Sequence, residues 1–289
     1  MVRVLNFLAA HPTETFTLAE IAARLGLSNG SAHRVMTALT QARYLSRHPK
    51  HKTYSLGVAL VAIGQAALEK HRGVEIARRE LVRLAEELQA QCVLTTIIDN
   101  EMLFLAREGV PRTDEGMYRV GERRPFLPPM GLAYIAWSDR QTSGKYLEQA
   151  HTLLGESTRA YLQQAIDTVR GQGYAMAAAG ETLRKMSRSA ALPIDSAKEG
   201  SCWSGVNHLT GQLSEEEILL LDPADAGKQG VAYISAPVFS PEATVRFEMT
   251  VCALPGNLSV EEIEHYIQRL RAAAAIVTRD TYGRAPGTA

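Results

Sequence analysis

Cysteine is scarce in this sequence: three occur among 289 residues, at positions 92, 202 and 252. An odd number of widely spaced cysteines argues against a disulfide framework and favours a reducing compartment, and no two of them have the spacing of metal ligands. Long apolar runs are missing too, because the longest, around 56–68, is interrupted by glycine and glutamine and is too short to span a bilayer. These absences predict a cytoplasmic protein without a metal site.

Net charge is also absent from the chain as a whole, since 31 Lys and Arg balance 31 Asp and Glu. The charges are unevenly distributed, however. The first 57 residues hold seven basic and only two acidic residues, a formal charge of +5, so the remainder carries −5. A basic segment joined to an acidic remainder is typical of a nucleic-acid-binding module fused to a second unit. The length likewise favours one small and one larger domain.

Three helices are predicted in the first 45 residues. Pro12 ends the first, because proline cannot continue a helix. Thr17 and Glu20 form a capping box at the start of the second, Gly26 ends it, and Ser28 is placed to cap the third. The predicted core-facing residues are Val4, Leu5 and Leu8, then Leu18, Ile21, Ala22 and Leu25, and finally Ala32, Val35, Met36 and Leu39.

The third helix is left with a polar, weakly basic outer face. Two short helices, a glycine turn and such a third helix describe a helix-turn-helix, whose last helix can lie in the major groove of DNA. The side chains that we expect to reach bases or nearby phosphates are Asn29, Ser31, His33, Arg34 and Thr37.

The segment from 46 to 56 is predicted to form two short strands around a basic tip, a wing in which Arg47, Lys50 and Lys52 grip the DNA backbone. A basic loop is more often only a solvated loop, and any three-helix module can show the same periodicities. The capping box, glycine turn, polar third helix and basic hairpin, occurring in this order, nevertheless favour DNA binding.

At these residues the chain resembles the IclR family of bacterial transcriptional regulators. The most specific parts are His33-Arg34 in the third helix and Tyr54-Ser55-Leu56-Gly57 after the wing. The resemblance implies a winged helix-turn-helix over 1–57 and a linker helix over 58–74 that supports dimerisation, with pairs of dimers common. Because the first helix begins almost at Met1, we expect either that the chain starts late or that it has no N-terminal arm.

Residues 75–289 resemble the effector-binding and oligomerisation domain of that family more weakly. This implies an α+β fold in which a twisted antiparallel sheet is flanked by helices, of the GAF-like kind. The matching segments are a helix over 81–88, strands over 93–98 and 102–106, a loop over 121–126 with a helix after 131, strands over 173–175, 230–239 and 250–255, and a terminal helix over 260–276. The segment about 176–229 is longer than in the family and is expected to be an insertion.

Signatures of catalysis are missing: the sequence has no Gly-x-Ser-x-Gly, no Walker loop and no His-Glu-x-x-His. Asp114 and Glu115 are adjacent, so on a strand they would point to opposite faces, and a solvated loop explains them better. Cys202 and His208 permit a thiol–imidazole pair, but each cysteine is better explained as a small buried hydrophobe. We predict a protein that is not an enzyme and uses no cofactor.

An effector pocket is predicted instead, because alternate residues of a strand face one way. One strand would present three side chains, a second would face them, and the loop at Pro129 would close one end. The candidate effector-binding residues are Met130, Gly131, Val231, Tyr233, Ser235, Val251 and Ala253. The same residues are equally compatible with a plain core. Their apolar bias favours an aromatic or lipophilic organic acid, whose charge Arg123 or Arg124 would meet.

The sequence as a whole predicts a ligand-responsive transcriptional regulator that reads a pseudo-palindromic operator and controls a catabolic operon. Its expected partners are double-stranded DNA, a small-molecule effector and further copies of itself in a dimer or tetramer, with no membrane. Two alternatives stay open. One is a small-molecule-binding enzyme or carrier whose N-terminal domain mediates protein contacts, and the other is a nucleoid-type DNA binder without a ligand.

Overall fold

The computed structural model describes residues 1–111, 118–127, 130–154, 156–190, 208–220 and 222–287. Its helices are α1 (Val2–Ala9), α2 (Leu18–Leu25), α3 (Asn29–Gln41), α4 (Ala59–Lys70), α5 (Arg72–Leu88), α6 (Leu132–Ile135), α7 (Arg140–Leu154), α8 (Glu156–Gln172), α9 (Glu181–Ala190), α10 (Glu215–Ile218), α11 (Pro223–Gln229) and α12 (Val260–Asp280). Its strands are β1 (Phe16–Thr17), β2 (Leu45–Arg47), β3 (Thr53–Leu56), β4 (Gln91–Ile98), β5 (Glu101–Glu108), β6 (Arg123–Pro125), β7 (Ala175–Ala178), β8 (Val231–Phe239) and β9 (Val245–Cys252).

The first three helices begin and end at the signals predicted for them. The side chain of Thr17 accepts a hydrogen bond from the backbone N–H of Glu20, and the Glu20 carboxylate accepts one from the Thr17 N–H at 2.7 Å. Gly26 ends α2 in the left-handed conformation, and Ser28 caps α3. The helices share a core that includes Val4, Phe7, Leu8, Ile21, Leu25, Met36 and Leu39. This packing fixes the orientation of α3.

The wing belongs to a three-stranded antiparallel sheet of order β1-β3-β2. Strands β2 and β3 form the predicted hairpin, whereas β1 was not predicted; it is only two residues long and pairs Phe16 with Tyr54. The wing ends at Gly57, where a Cβ atom would overlap the carbonyl oxygen of Arg43. The need for this close approach explains the glycine after Tyr54-Ser55-Leu56.

Two helices follow the wing, where the sequence predicted one linker helix over 58–74. The chain leaves helical geometry at His71, with φ −105° and ψ 49°, and this break separates α4 from α5. Helix α5 joins the core of the larger unit, where Ala77 and Leu81 are fully buried. Helix α4 has no buried residue. The expected linker, 58–74, therefore includes the exposed helix α4 and the first residues of α5.

The described strands of the larger unit form one antiparallel sheet of order β6-β5-β4-β9-β8-β7. The β4–β5 hairpin turns at Asp99 and Asn100, both with positive φ, as their residue types predicted. The predicted last strand, 250–255, is misplaced: β9 begins at Val245, because residues 245–249 already pair with β8. The fold class, a helical head followed by a curled antiparallel sheet with helices, is confirmed.

The two faces of the large sheet pack against different helices. Helices α5 and α12 cover one face, and α12 continues to Asp280, beyond its predicted end at 276. That core includes Leu81, Leu94, Ile234, Met249, Val251 and Leu270. On the other face, alternate strand positions form a second cluster that includes Val93, Met102, Phe104 and Tyr233. A third cluster, near α6 and α7, includes Phe126, Tyr134 and Tyr146. We call this second side, opposite α5 and α12, the inner face.

The segment that was expected to be an insertion, about 176–229, begins inside the sheet. Residues 176–178 belong to β7, which pairs with β8. The end of the segment is also anchored, because Ile218, Leu219 and Leu220 are buried and the Leu220 N–H donates to Met176 O at 2.7 Å. Cys202 lies outside the described residues. Among those described, no helix is long and apolar enough to cross a membrane.

Candidate nucleic-acid interface and effector site

Helix α3 presents one face to the core and the other to solvent. Ala32, Met36 and Leu39 are buried, and this stripe holds the opposite positions outward. The expected DNA-contacting residues Asn29, His33, Arg34 and Thr37 are exposed. Ser31 differs from them: it is half-buried, its N–H donates to Ser28 Oγ at 3.3 Å, and the Ser28 hydroxyl donates to Ser31 Oγ at 3.0 Å. The structure therefore brings four of the five side chains together on one accessible surface.

The wing tip is shaped by His48. Its Nδ1 accepts hydrogen bonds from the backbone N–H groups of Lys50 at 3.2 Å and His51 at 3.1 Å, and the two imidazole rings lie 4.6 Å apart. Lys52 adopts a left-handed φ of 58°, which turns the chain into β3. The guanidinium of Arg47 lies 5.6 Å from the centre of the Tyr54 ring. Arg47, Lys50 and Lys52 are all exposed on this tip.

Arg34 of α3 and the three wing cations are not neutralised by neighbouring acids. Within the described part of the chain, no carboxylate forms an ion pair with Arg34, Arg47, Lys50 or Lys52. Exposed cations without acidic partners are available to phosphate oxygens, and they give the head a positive potential. The geometry is that of a nucleic-acid interface.

The inner face of the large sheet is different, because its polar side chains are buried. Strand register aligns them: Glu248 on β9 lies opposite Thr95 on β4, and Gln91 on β4 lies opposite Cys252. Arg124 on β6 lies opposite Met102, which is on the same face. Six residues that define what we call the inner layer are Gln91, Thr95, Arg124, Tyr233, Ser235 and Glu248.

Several polar atoms of the inner layer lack hydrogen-bond partners. They are Gln91 Nε2, Thr95 Oγ1, Arg124 Nη2, Ser235 Oγ and Glu248 Oε2. Such atoms are rare in folded proteins, because an unpaired buried polar group costs about 1–3 kcal/mol. Only one further atom of this kind occurs among the described side chains, His11 Nε2 in the head. Their concentration on a single sheet face indicates a site for a polar ligand or for ordered water.

Aromatic rings surround this layer. Phe104 and Tyr118 stack with ring centres 4.8 Å apart, and the guanidinium of Arg124 lies 4.5 Å from the Tyr118 ring centre. Two further phenols donate to main-chain oxygens, Tyr134 to Thr95 O at 2.5 Å and Tyr146 to Met130 O at 2.9 Å. The site therefore combines an apolar, aromatic wall with the buried cation of Arg124 and the buried acid of Glu248, a composition typical of small-molecule pockets.

Burial controls the ionisation of the inner layer. Loss of solvent raises the pKa of Glu248 to about 7, although the nearby Ser235 hydroxyl opposes that shift. Burial raises the pKa of Tyr233 as well, and the neighbouring carboxyl of Glu248 adds to the increase. A carboxyl group with a pKa near 7 can donate or accept a hydrogen bond at neutral pH.

The structure separates the predicted effector-binding residues into two groups. Met130 and Tyr233 pack in the inner-face cluster, and Ser235 lies on the same side of β8 as Tyr233. Val231 and Val251 belong instead to the core beneath α5 and α12. The prediction that all of them face one another is therefore wrong for these two valines.

The misassigned residues have identifiable physical causes. A bulge between β7 and β8, at Ala177/Ala178, shifts the alternation so that Val231 points to the opposite face from Tyr233. On β9 the inner-facing positions are Glu248, Thr250 and Cys252, one residue out of phase with the prediction. Ala253 follows the strand in a left-handed conformation, with φ 54°.

The loop that was expected to close one end of the pocket is partly described. Gly131 has φ 77°, and a Cβ there would overlap the Phe126 ring, so this glycine serves packing. Pro129 lies outside the described residues. Of the two arginines considered for an anionic ligand, Arg123 pairs with Glu101 at 2.9 Å near the surface, whereas the side chain of Arg124 is only 4% exposed.

Sequence reasoning missed Glu248, Thr95 and Gln91. No signal for Glu248 was present in the sequence, because β9 alternates apolar residues with Arg246, Glu248 and Thr250, a pattern typical of a strand with one solvated face. Thr95 and Gln91 gave none either, because both residue types are common on exposed strand faces. The catalytic candidates Asp114, Glu115 and Cys202 lie outside the described residues.

The two described cysteines, Cys92 and Cys252, are buried and free. Burial raises the pKa of both thiols, that of Cys252 to about 12, which disfavours the reactive thiolate. A separate open groove of about 1110 Å³ is lined by Trp137, Phe239 and Arg271 near the end of α12. It contains none of the predicted effector residues.

Two family models match this chain. One, described as the IclR helix-turn-helix domain, matches residues 1–49, and the other, described as bacterial transcriptional regulator IclR C-terminal, matches residues 65–217. The second match alone covers more than half of the chain. Both matched regions contain elements described above: the first includes α3 and the start of the wing, and the second includes β4 to β7.

Curated relatives and solved structures agree with these matches. The chain is 26% identical over 165 residues to the glycerol operon regulatory protein of Streptomyces griseus, covering 55% of this chain and 64% of the relative. It is 26% identical over 167 residues to the transcriptional regulator KdgR of Escherichia coli K12, covering 54% and 62%. The alignments thus span less than two thirds of the length of these relatives.

Two solved structures share the fold over nearly the whole chain. An IclR transcriptional regulator from Alicyclobacillus acidocaldarius has a TM-score of 0.68 at 21% identity, covering 97% of this chain and 96% of that one. An IclR homologue from Microbacterium hydrocarbonoxydans, complexed with 4-hydroxybenzoate, has a TM-score of 0.65 at 17% identity, covering 96% and 97%. At such identities the likeness establishes the fold alone.

Proposed function

Because the chain belongs to the IclR family of bacterial transcriptional regulators, which are not enzymes, we propose that it binds a pseudo-palindromic operator and changes its DNA affinity when an organic acid occupies the inner face of the large sheet. The observation that carries the DNA-binding half is the exposed polar face of α3 together with the exposed cations of the wing. The regulated genes are proposed to form a catabolic operon, as the name of the glycerol operon relative suggests.

In this proposal α3 lies in the major groove. Asn29, His33, Arg34 and Thr37 contact base edges or nearby phosphates, and Ser31 contributes from the first turn of the helix. The wing residues Arg47, Lys50 and Lys52 contact the phosphate backbone and set the register of the head on the duplex. Their exposure and lack of acidic partners support these roles.

A second copy of the chain is proposed to cover α4. This helix is strongly apolar yet exposed, with Val61 at 69% and Ile63 at 47% of their free surface. Exposed apolar stripes of this kind mark association surfaces, and a symmetric pair of heads matches a pseudo-palindromic site. We propose a homodimer through α4, able to form a tetramer, and a domain division into a head over 1–57, a linker near 58–74 and an effector-binding domain beyond. Sedimentation of Val61→Glu tests the dimer, which this charge should dissociate.

The effector is proposed to be an aromatic or lipophilic organic acid. Arg124 would pair with its carboxylate, the Phe104 and Tyr118 rings would contact its apolar body, and Glu248 would exchange a hydrogen bond with a hydroxyl group. The chemistry of the inner layer supports this assignment. The Microbacterium homologue complexed with 4-hydroxybenzoate offers an example of such an acid in the same fold.

Titration of the purified chain against DNA tests the proposed function. Its own upstream intergenic DNA is compared with a shuffled control at two salt concentrations. A preference for the true sequence that survives higher salt is the expected result. Equal and steeply salt-sensitive binding to both would leave only an electrostatic DNA binder, and the absence of binding to either would refute the proposal.

A further inference from the structure

One side chain of the large domain contacts the DNA-binding head. Nη1 of Arg119, in the turn before β6, donates a hydrogen bond to the carbonyl oxygen of Ala10 at 2.8 Å. Ala10 is the C-cap of α1. Carbonyl groups at a helix C-terminus lack partners within the helix and carry the negative end of its dipole, so a guanidinium is a favourable partner there. The turn also approaches the head at Gly121, where a Cβ would lie 3.6 Å from the Cβ of Ala9.

Glu122 joins this turn to the inner layer with both of its carboxylate oxygens. Oε2 accepts a hydrogen bond from the backbone N–H of Arg119 at 2.9 Å, and Oε1 accepts one from Nε of Arg124 at 2.7 Å. The Glu122 N–H donates to Arg119 O at 3.0 Å, which closes the turn. Glu122 and Arg124 are 9% and 4% exposed. Neither can lose its partner without leaving a buried charge.

Arg124 is the member of this series that borders the candidate effector site. Its Nη2 has no hydrogen-bond partner although it is buried, and its guanidinium lies against the rings of Phe104 and Tyr118. A guanidinium with a free donor is suited to a carboxylate, which can accept two parallel hydrogen bonds from it. Contacts therefore run without a gap from the inner layer through Glu122 and Arg119 to the end of α1.

We propose that an anionic effector competes with Glu122 for Arg124 and thereby releases the turn that docks Arg119 on the C-terminus of α1. This inference rests on the proposed function, since it takes the inner face as the effector site. Once its cation is engaged elsewhere, the Glu122 carboxylate gains by turning toward water, and the Arg119 N–H then loses its acceptor. Docked and released states of the head provide the two arrangements that an effector can bias.

Hydrogen–deuterium exchange of the full chain, without DNA, tests the connection. The N–H groups of Ala10 and His11 are bonded within the end of α1, to Asn6 O at 3.0 Å and Leu8 O at 3.1 Å, so their exchange reports opening there. Arg119→Ala should speed this exchange about ten-fold, the effect of losing one charged hydrogen bond. Arg124→Met should do the same, and the double variant should exceed neither single variant.

Arg123→Ala is the matched control, because it removes a guanidinium from the same strand whose partner, Glu101, lies near the surface. It should leave exchange at Ala10 unchanged. Unchanged exchange in Arg124→Met, or additive effects in the double variant, would overturn the connection. If Arg124→Met does not fold, Glu122→Gln supplies the same comparison, since it keeps the shape of the side chain and removes the charge that holds Arg124.

Acetate, benzoate, 4-hydroxybenzoate and decanoate are the probes for the ligand step. At least one should speed exchange at Ala10 in the unmodified chain and have no effect on Arg124→Met. If none does so, release by an anion is wrong. Failure of the chain to bind any DNA would refute the proposed function while leaving the exchange results intact, so the two failures are distinguishable.

Discussion

The outward face of α3 and the inner face of the large sheet present polar side chains in opposite ways. On α3 they point to solvent. The backbone N–H groups at the starts of α2 and α3 are satisfied by the capping residues Thr17 and Ser28. On the inner face Arg124, Ser235 and Glu248 point inward and retain unpartnered atoms. A DNA surface can be large and solvated because its ligand is a macromolecule, whereas a small ligand must be enclosed. The exposed polar groups of α3 therefore cost the head no folding stability, whereas the unpartnered buried atoms of the inner face lower the stability of the large domain.

Among the changes predicted here, the largest is the pH dependence of stability that Glu248 causes on the inner face. Its pKa is about 7 in the folded chain against 4.5 for a free carboxyl, so the folded state holds a proton that the unfolded state releases. Stability should therefore fall as pH rises from about 4.5 to about 7, by about 3 kcal/mol in total. The ionisable groups that face this carboxyl are Tyr134, Tyr146 and Tyr233, which stay neutral over this range.

Glu248→Gln should remove this dependence, so that the variant is more stable than the unmodified chain at pH 8 and similar to it at pH 4. Chemical denaturation at both pH values measures the difference. Glu14→Gln, an exposed position in the head, is the control and should change little at either pH. A stability profile of the unmodified chain that does not fall between pH 4.5 and 7 would contradict the raised pKa of this buried acid.

Arg34→Ala tests whether the exposed face of α3 reads DNA sequence. If Arg34 reads a base, the variant should lose about 1–3 kcal/mol of operator affinity and much less affinity for random DNA. The free energy of unfolding should stay within about 0.5 kcal/mol of the original, because the side chain is exposed. Titrations on both DNAs test this, with Arg79→Ala on the exposed side of α5 as a charge-matched control. Equal losses on the two DNAs would make Arg34 a phosphate contact.

Lys50→Ala distinguishes the contribution of the wing to DNA affinity from that of α3. A phosphate contact carries no sequence information, so affinity should fall to a similar degree on operator and random DNA. The slope of log affinity against log salt should become shallower by about 1. Titration over a salt series measures it, and an unchanged slope would show that the wing tip does not approach the backbone.

Thr17→Ala has the smallest expected effect and tests the stability of the head itself. Loss of the capping box should cost about 1 kcal/mol in the free energy of unfolding. Denaturation monitored in the head measures this cost, with the exposed Thr13→Ala as the control. If Thr17→Ala loses no more free energy of unfolding than Thr13→Ala, the capping box does not stabilise the head.

Much of the head could be predicted from its sequence because its signals are local. A capping box, a left-handed glycine and a cap residue three positions before the N–H group that donates to it each act within one turn of helix, and Thr17, Gly26 and Ser28 were all assigned correctly. Strand β1 was missed since two residues carry no periodicity. Gly57 was recognised only through family resemblance, because the carbonyl of Arg43 that it must approach is distant in sequence.

The inner face could be predicted only in part, because its geometry depends on pairing between distant strands. Tyr233 and Ser235 share one side of β8, as alternation predicted, but one bulge reversed the side of Val231, and a one-residue error in phase reversed that of Val251. The burial of Arg124 depends on β6 pairing with β5, and no local pattern distinguishes it from Arg123. The DNA and effector contacts of these residues stay predictions.

Coupling between the effector site and the DNA-binding head can be measured directly as a change in operator affinity. Operator affinity of the full chain is measured alone and with benzoate, 4-hydroxybenzoate, phenylacetate and decanoate in turn. We expect at least one acid to change the operator Kd by about five-fold or more, the usual range of coupling between two sites, and to leave affinity for shuffled DNA nearly constant. Specific operator binding that is identical in the presence of every acid would contradict the account.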